Sequence, residues 1–293
     1  MKMSKLKVQN LTKSYRNEDG DEIKVVDHIS FEVAEGELLS IVGPSGCGKT
    51  TLLKMIAGLL EPDEGHVFID GKEVWTGHNR VGYIFQQESL FPWRTVRQNI
   101  EFGLEINGIP KEERRKRSDE IIRIVGMEDL DDNYPHEISG GQARKTEMAR
   151  SLIVSPDILV ADEAFSNLDA QTRNYLQEEF LRIQKLTGST ILFVSHNVDE
   201  AVFMSDRILV LSNIPAIIIE EYGIDIPRPR VRTSQECLAY RTKILDILKV
   251  EQEKAMKRFS KTNQSSISVI PCPYCGHKNE ENARTCEKCS ADL

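Results

Sequence analysis

Leu38-Leu39-Ser40-Ile41-Val42-Gly43-Pro44-Ser45-Gly46-Cys47-Gly48-Lys49-Thr50-Thr51 decides the fold. Its first five residues form a nearly continuous apolar run, the mark of a strand buried on both faces. The next eight fit G-x-x-x-x-G-K-[S/T], and Thr50 to Ala57 reads as a helix closed by Gly58. Glycines let the backbone curl until several N–H groups point inward at phosphate oxygens. The following helix adds the positive end of its dipole. Residues Gly43 to Thr51 are therefore expected to cradle a nucleotide phosphate chain. Lys49 neutralises the β- and γ-phosphates, and the Thr50 hydroxyl is a ligand for Mg²⁺. The octet alone also occurs as an ordinary Gly-rich turn, and the strand–loop–helix context is what separates the two. Cys47 has no nearby partner in sequence and reads as a spacer, not a nucleophile.

Further along, Ile158-Leu159-Val160-Ala161 is a second apolar strand, ending in Asp162 and Glu163. A buried strand delivers terminal acids to the carboxyl edge of the sheet, where open α/β sheets bind their ligands. Asp162 is expected to hold Mg²⁺ and Glu163 to polarise an attacking water. His196 follows the apolar strand Ile191 to Val194, and Gln86 follows Val81 to Phe85, so both belong to the same edge. A Gln86 amide can contact Mg²⁺ and the water without adding charge.

Strands alternating with helices imply a parallel sheet with helices on its faces. Residues 4 to 42 read as short strands, and Ile208 to Ile219 as two strands around a turn containing Pro215. Helical patterning from Val96 to Met127 and from Ser139 to Val154 interrupts the alternation and marks an inserted helical subdomain, about 92–154. The run Lys111 to Arg117 is bracketed by Glu112, Glu113, Asp119 and Glu120, so it reads as a solvated helix face and not as a nucleic-acid contact. The net charge of -8 weighs the same way. No apolar run reaches the roughly 18 residues a membrane span needs, and nothing near Met1 resembles a secretory leader, so the chain is expected to stay in the cytosol.

The expected organisation is an ATPase domain over 4–235, a helical extension over 236–259, a Ser/Thr/Asn/Gln-rich linker over 260–270 and a cysteine module over 271–293. Cys272-Pro273-Tyr274-Cys275, then ten residues, then Cys286-Glu287-Lys288-Cys289 is similar to a small zinc ribbon. Each C-x-x-C turn lets two thiolates reach one metal, and two turns complete a tetrahedron. Four thiolates leave no open position, so the zinc is structural; a redox dithiol pair or an iron site are the other chemistries the spacing allows.

Between the phosphate loop and the Asp162–Glu163 strand stands Ile138-Ser139-Gly140-Gly141-Gln142, which resembles the signature loop of ATP-binding cassette (ABC) ATPases. Tyr15 matches the residue that stacks on adenine in that family, Gln86 the Q-loop glutamine, Ser166-Asn167-Leu168-Asp169 the D-loop, and His196 the switch histidine. The resemblance covers about residues 4 to 250. Phe85 to Val96, Tyr134-Pro135-His136-Glu137 and Pro227-Arg228-Pro229-Arg230 resemble the nitrate/sulfonate/taurine importer group. The departures are Ala143, Arg144, Lys145, Thr146 and Glu147 after the signature, Ala164 after the glutamate, and Asn197 after the histidine.

The resemblance implies an α/β P-loop (RecA-like) core with a helical subdomain. It also implies a head-to-tail homodimer, in which Ser139, Gly140, Gly141 and Gln142 of one copy close over ATP held by the other, with Gln86, Glu163 and His196 as the catalytic groups. It further implies docking on membrane permease subunits near Phe91 to Trp93, an external solute-binding protein in the system, and a peripheral place on the cytoplasmic face of the membrane. The competing expectation is a soluble ABC ATPase acting on nucleic acid or ribosomes, with the cysteine module as reader.

Overall fold

The structure, a computed structural model, describes residues 4–17, 20–76, 81–265, 269–271 and 278–280. The chain divides into two compact units, residues 1–248 and 249–293.

The first unit holds two sheets. The larger has the order β10-β9-β3-β8-β7-β6, built from β3 (Leu38–Val42), β6 (Val81–Ile84), β7 (Ile158–Asp162), β8 (Ile191–Val194), β9 (Arg207–Leu211) and β10 (Ile218–Gly223). Its pairings are parallel from β9 through β6, and β10 joins the β9 edge antiparallel. All five residues of β3 and of β7 are buried, as their unbroken apolar runs require. The smaller sheet corrects the expectation of short strands at the start of the chain. β1 (Ser4–Arg16) and β2 (Glu22–Ala34) are thirteen residues each and pair antiparallel. With β4 (Glu64–Ile69) and β5 (Lys72–Glu73) they make a separate four-stranded sheet. One face is buried and the other wet, so these strands alternate, and they carry register shifts that interrupt the alternation.

Helix α1 (Lys49–Ile56) buries Leu52, Leu53, Met55 and Ile56 in the core that this antiparallel sheet shares with one face of the parallel sheet. A second core joins the opposite face to the helical subdomain, made of α2 (Val96–Ile106), α3 (Lys111–Val125) and α4 (Gly140–Leu152), and to α5 (Ala170–Thr187). α2 starts on a capping box from Thr95 and Gln98, and α5 on Asp169, whose carboxylate accepts from the N–H groups of Gln171 and Thr172. Lys111, Glu112, Arg115, Lys116 and Arg117 are exposed on α3, the solvated face expected of that charge run. A third core packs α6 (Val198–Met204), which sequence reading did not anticipate, against β9 and the start of α7 (Gln235–Ser265).

The last helix runs to Ser265, six residues beyond the expected end at Phe259 and into the segment read as linker. In the second unit Val269–Pro271 (β11) pairs antiparallel with Lys278–Glu280 (β12), bracketing 272–277 in sequence. The expected zinc ligands Cys272, Cys275, Cys286 and Cys289 lie outside the described residues.

Candidate nucleotide site

The phosphate loop leaves β3 at Gly43 and enters α1 at Lys49. Gly46 and Gly48 adopt φ +76° and +109°, conformations costly for any side chain. At Gly48 a Cβ would also stand 2.9 Å from Val25 Cγ1, so the loop rests directly on β2. No side chain caps the first turn of α1, which leaves its N–H groups facing the loop. The Lys49 ammonium reaches back across the loop, donating to the carbonyls of Gly43 (2.9 Å) and Pro44 (2.8 Å). Ser45, Gly46 and Thr50 are exposed, and Thr51 is half-buried. Cys47 is fully buried and burial pushes its thiol up, which suits a packing residue and not a nucleophile.

Three strand ends converge beside this loop. Asp162 ends β7, and its carboxylate accepts from the Thr50 hydroxyl (3.4 Å) and the Tyr83 phenol (3.1 Å). Burial pushes the Asp162 carboxyl above its ordinary range, against the pull of those two hydrogen bonds. Burial and the Asp162 charge together push the Tyr83 phenol up, so it remains a donor. Glu163 follows with φ +46°, a left-handed conformation unusual for a non-glycine residue and often found at working sites. Its Oε2 accepts from Gln86 Nε2 at 2.8 Å and lies 3.2 Å from His196 Nδ1. Thus Thr50, Gln86, Asp162, Glu163 and His196 meet at one sheet edge, although 146 positions separate the first from the last. A hydroxyl and a carboxylate side by side are the hard oxygen donors Mg²⁺ takes, and the open first turn of α1 suits a phosphate chain; the residues fit Mg·ATP. Among the described residues no cluster of three or more His, Cys, Asp or Glu could hold a metal ion.

Tyr15 stands 43% exposed near the end of β1, paired with Ile23, two residues before the Val25 that backs the loop. The signature residues stand elsewhere. Ser139 caps α4 by accepting from Gln142 N, and the Gln142 side chain accepts from Ser139 N at 2.7 Å. Ser139, Gly141 and Gln142 line a separate cavity with Thr172 and Tyr175.

Two of the charged departures after the signature, Arg144 and Glu147, pair with one another. Glu147 is buried and accepts from Ser89 N (2.5 Å), Ser89 Oγ (2.9 Å) and Arg144 Nη1 (2.7 Å). Arg144 also donates to the carbonyls of Phe85 (2.8 Å) and Gln86 (3.2 Å), and Arg150 to Ser89 O (2.8 Å). Three side chains of α4 thereby tie down the backbone that carries Gln86. Sequence reading missed this tie and the Tyr83 contact; an Arg and a Glu three apart on one helix was the available signal for the first. Asn197 caps α6 by accepting from Asp199 N, and Ala164 is fully buried. Trp93 is 71% exposed, so it is not core, and Phe91 beside it packs against Phe102 with the two rings tilted at 55°.

The family model described as ABC transporter matches residues 26–166. The chain is 51% identical over 253 residues to an uncharacterized ABC transporter ATP-binding protein of Methanocaldococcus jannaschii, covering 86% of this chain and 94% of the relative. It is 35% identical over 261 residues to a taurine import ATP-binding protein of Roseobacter denitrificans, covering 87% and 97%. Among solved structures, an ATP-binding cassette captured as a post-hydrolysis dimer with ADP and Pi superimposes with a TM-score of 0.65 at 29% identity, over 76% of this chain and all of that one.

Proposed function

The chain belongs to the ABC transporter family of ATP-binding subunits, and from that premise we propose that it hydrolyses ATP to drive uptake of a small organic anion, taurine or a related sulfonate, through a separate membrane permease. The observation that carries the reading is the meeting of Thr50, Gln86, Asp162, Glu163 and His196 beside the phosphate loop.

In this reading Lys49 and the first-turn N–H groups of α1 hold the phosphates, while Thr50 and Asp162, with Gln86, hold Mg²⁺. Glu163 orients the attacking water. Gln86 and His196, which share its Oε2, keep the carboxylate in place, and His196 contacts the γ-phosphate. Tyr15 stacks on adenine. Ser139, Gly140, Gly141 and Gln142 close over the nucleotide of a second copy, because a helix N-terminus favours the charge of a terminal phosphate. ATP then belongs to the interface, and cleavage of its terminal phosphate lets the copies part.

Among the described residues no helix is long and apolar enough to cross a membrane, so the transport path must come from partner subunits. The exposed Trp93, on the segment that α4 ties to Gln86, is the proposed contact with a permease, and an external solute-binding protein would supply selectivity. The chain would sit on the cytoplasmic face of the membrane. The taurine-import relative, matched over nearly its full length, favours this over action on ribosomes or nucleic acid. Cys272, Cys275, Cys286 and Cys289 are proposed to hold a structural Zn²⁺, a reading supported by the β11–β12 pairing around the first pair; one equivalent of zinc per purified chain is expected.

Glu163→Gln tests the core of the proposal. This variant should bind Mg·ATP, lose hydrolysis by on the order of 10³-fold, and accumulate as an ATP-bound dimer that co-purifies with a multi-span permease. Near-normal turnover would remove Glu163 from its role, and a nucleotide-loaded variant that stays monomeric would remove the sandwich.

A further inference from the structure

Tyr83 is no part of the phosphate loop or of the catalytic cluster, yet its phenol meets the carboxylate assigned to Mg²⁺. It lies on β6, where it pairs with Val160 of the parallel strand β7. Side chains alternate along a strand, so Tyr83 shares a face of the sheet with Asp162, two positions beyond Val160. The phenol reaches along that face and donates to Asp162 Oδ2 at 3.1 Å. The Thr50 hydroxyl stands farther away, 3.4 Å from Oδ1.

The tyrosine is held independently of that carboxylate. Its half-buried side chain packs on the core beneath the parallel sheet, and its ring lies 4.4 Å from that of Phe85, centroid to centroid. Its carbonyl accepts from Ser151 Oγ on α4 at 3.2 Å. The next residue after Phe85 is Gln86, whose backbone Arg144 also ties to α4. A ring fixed by its neighbours leaves its hydroxyl little choice of position, so the hydrogen bond sets the plane of the carboxylate more than the carboxylate sets the ring.

We propose that Tyr83 is a positioning residue for Mg²⁺: by engaging Oδ2 it holds the Asp162 carboxylate with Oδ1, the oxygen beside the Thr50 hydroxyl, free for the metal. The inference rests on the reading of Asp162 and Thr50 as Mg²⁺ ligands and adds the group that orients one of them. Carboxylates that bind metals are themselves hydrogen-bonded, and loss of such an outer partner costs about 10- to 100-fold in metal affinity. A phenol suits the place. It donates one hydrogen bond at neutral pH and brings no charge to compete with the cation, as a lysine or arginine would. The competing account is a tyrosine that fills space in the sheet and bonds the nearest acceptor, with no consequence for the metal.

Tyr83→Phe keeps the ring and its packing and removes the donor, so it separates the two accounts. The full chain, loaded with stoichiometric ADP, is titrated with Mn²⁺ as a paramagnetic substitute for Mg²⁺, and free Mn²⁺ is read from its electron paramagnetic resonance signal. Mn²⁺ should bind Tyr83→Phe about tenfold more weakly than the unaltered chain, and ATP hydrolysis should need about tenfold more Mg²⁺ to reach half its maximal rate. ADP affinity measured in EDTA should stay within about twofold, because the phenol bonds to no group that holds a phosphate. Unchanged Mn²⁺ affinity in Tyr83→Phe overturns the inference. So does a loss of ADP affinity in EDTA as large as the loss of Mn²⁺ affinity, which marks a general distortion of the site. Asp162→Asn is the reference. If it abolishes Mn²⁺ binding while Tyr83→Phe leaves that binding unchanged, only the role of Tyr83 falls. If Asp162→Asn binds Mn²⁺ as tightly as the unaltered chain, the assignment of Asp162 to the metal falls, and the role of Tyr83 with it.

Discussion

The phosphate loop and the junction between Gln86 and α4 serve the same nucleotide site but are held together differently. The loop is built within eight consecutive residues: two glycines at positive φ, a lysine bonded to carbonyls five and six positions behind it, and a helix start left uncapped. The junction joins residues about 60 positions apart, through Arg144, Glu147 and Arg150 on one side and Phe85 to Ser89 on the other. A local motif needs little from its surroundings beyond a strand before it and a helix after it. A junction of buried charges works only if every member is paired, because an orphaned buried charge costs more than the pair contributes. That explains how the Glu147 departure is accommodated: Arg144, three positions earlier, arrives with it.

If the two regions differ in this way, they should fail differently. The largest expected effect belongs to the junction. Glu147→Ala leaves Arg144 without its carboxylate and Ser89 N without an acceptor, and should cost about 3 kcal/mol of stability, read from the urea midpoint. Arg144→Gln combined with Glu147→Ala removes both charges and should recover more than half of that loss. If the double variant is no more stable than the single, the two residues are not acting as a pair.

The loop should fail in binding and not in folding. Gly48→Ala places a side chain at φ +109° and 2.9 Å from Val25 Cγ1. Nucleotide affinity should fall by about 100-fold, near 3 kcal/mol or less, with a urea midpoint shifted far less than in Glu147→Ala. A midpoint shift as large as that of Glu147→Ala would show that the loop is as dependent on its surroundings as the junction.

The smallest effect concerns the acid between them. The Asp162 carboxyl lies above its ordinary range in the folded chain because it is buried. A carboxyl raised on folding holds its proton more readily in the folded than in the unfolded state, so ionising it opposes folding. The penalty is absent below the unfolded pKa and complete above the folded one. Asp162→Asn should therefore stabilise the nucleotide-free chain by about 1 kcal/mol at pH 8, with the gain vanishing near pH 3, while abolishing Mg²⁺-dependent hydrolysis. Thermal melts at the two pH values measure it, and a gain independent of pH would mean that Asp162 is not the group responsible.

Most of the site was legible in the chain as written. The apolar runs of β3, β7 and β8 appear as unbroken strings because both faces of those strands are buried, and the residue after each string lands on the ligand edge by geometry alone. Gln86, Asp162, Glu163 and His196 could therefore be placed from strand ends. The signature loop was legible too, as a capped helix start. Tyr83 was not legible, since a tyrosine inside a strand carries no mark of the carboxylate it will meet.

Linear order settled what is encoded by backbone conformation and by periodicity: the phosphate loop, the buried strands, the helix starts and the acids at strand ends. These depend on residues within a few positions of one another, where glycine permissiveness, capping and burial act directly. Folding in three dimensions settled which strands form a second, antiparallel sheet, that α6 exists, and that the charges of α4 pair with a loop 60 residues away. Those outcomes hang on partners distant in the chain, and no local pattern carries the identity of a partner that arrives only when the sheets and helices close on one another.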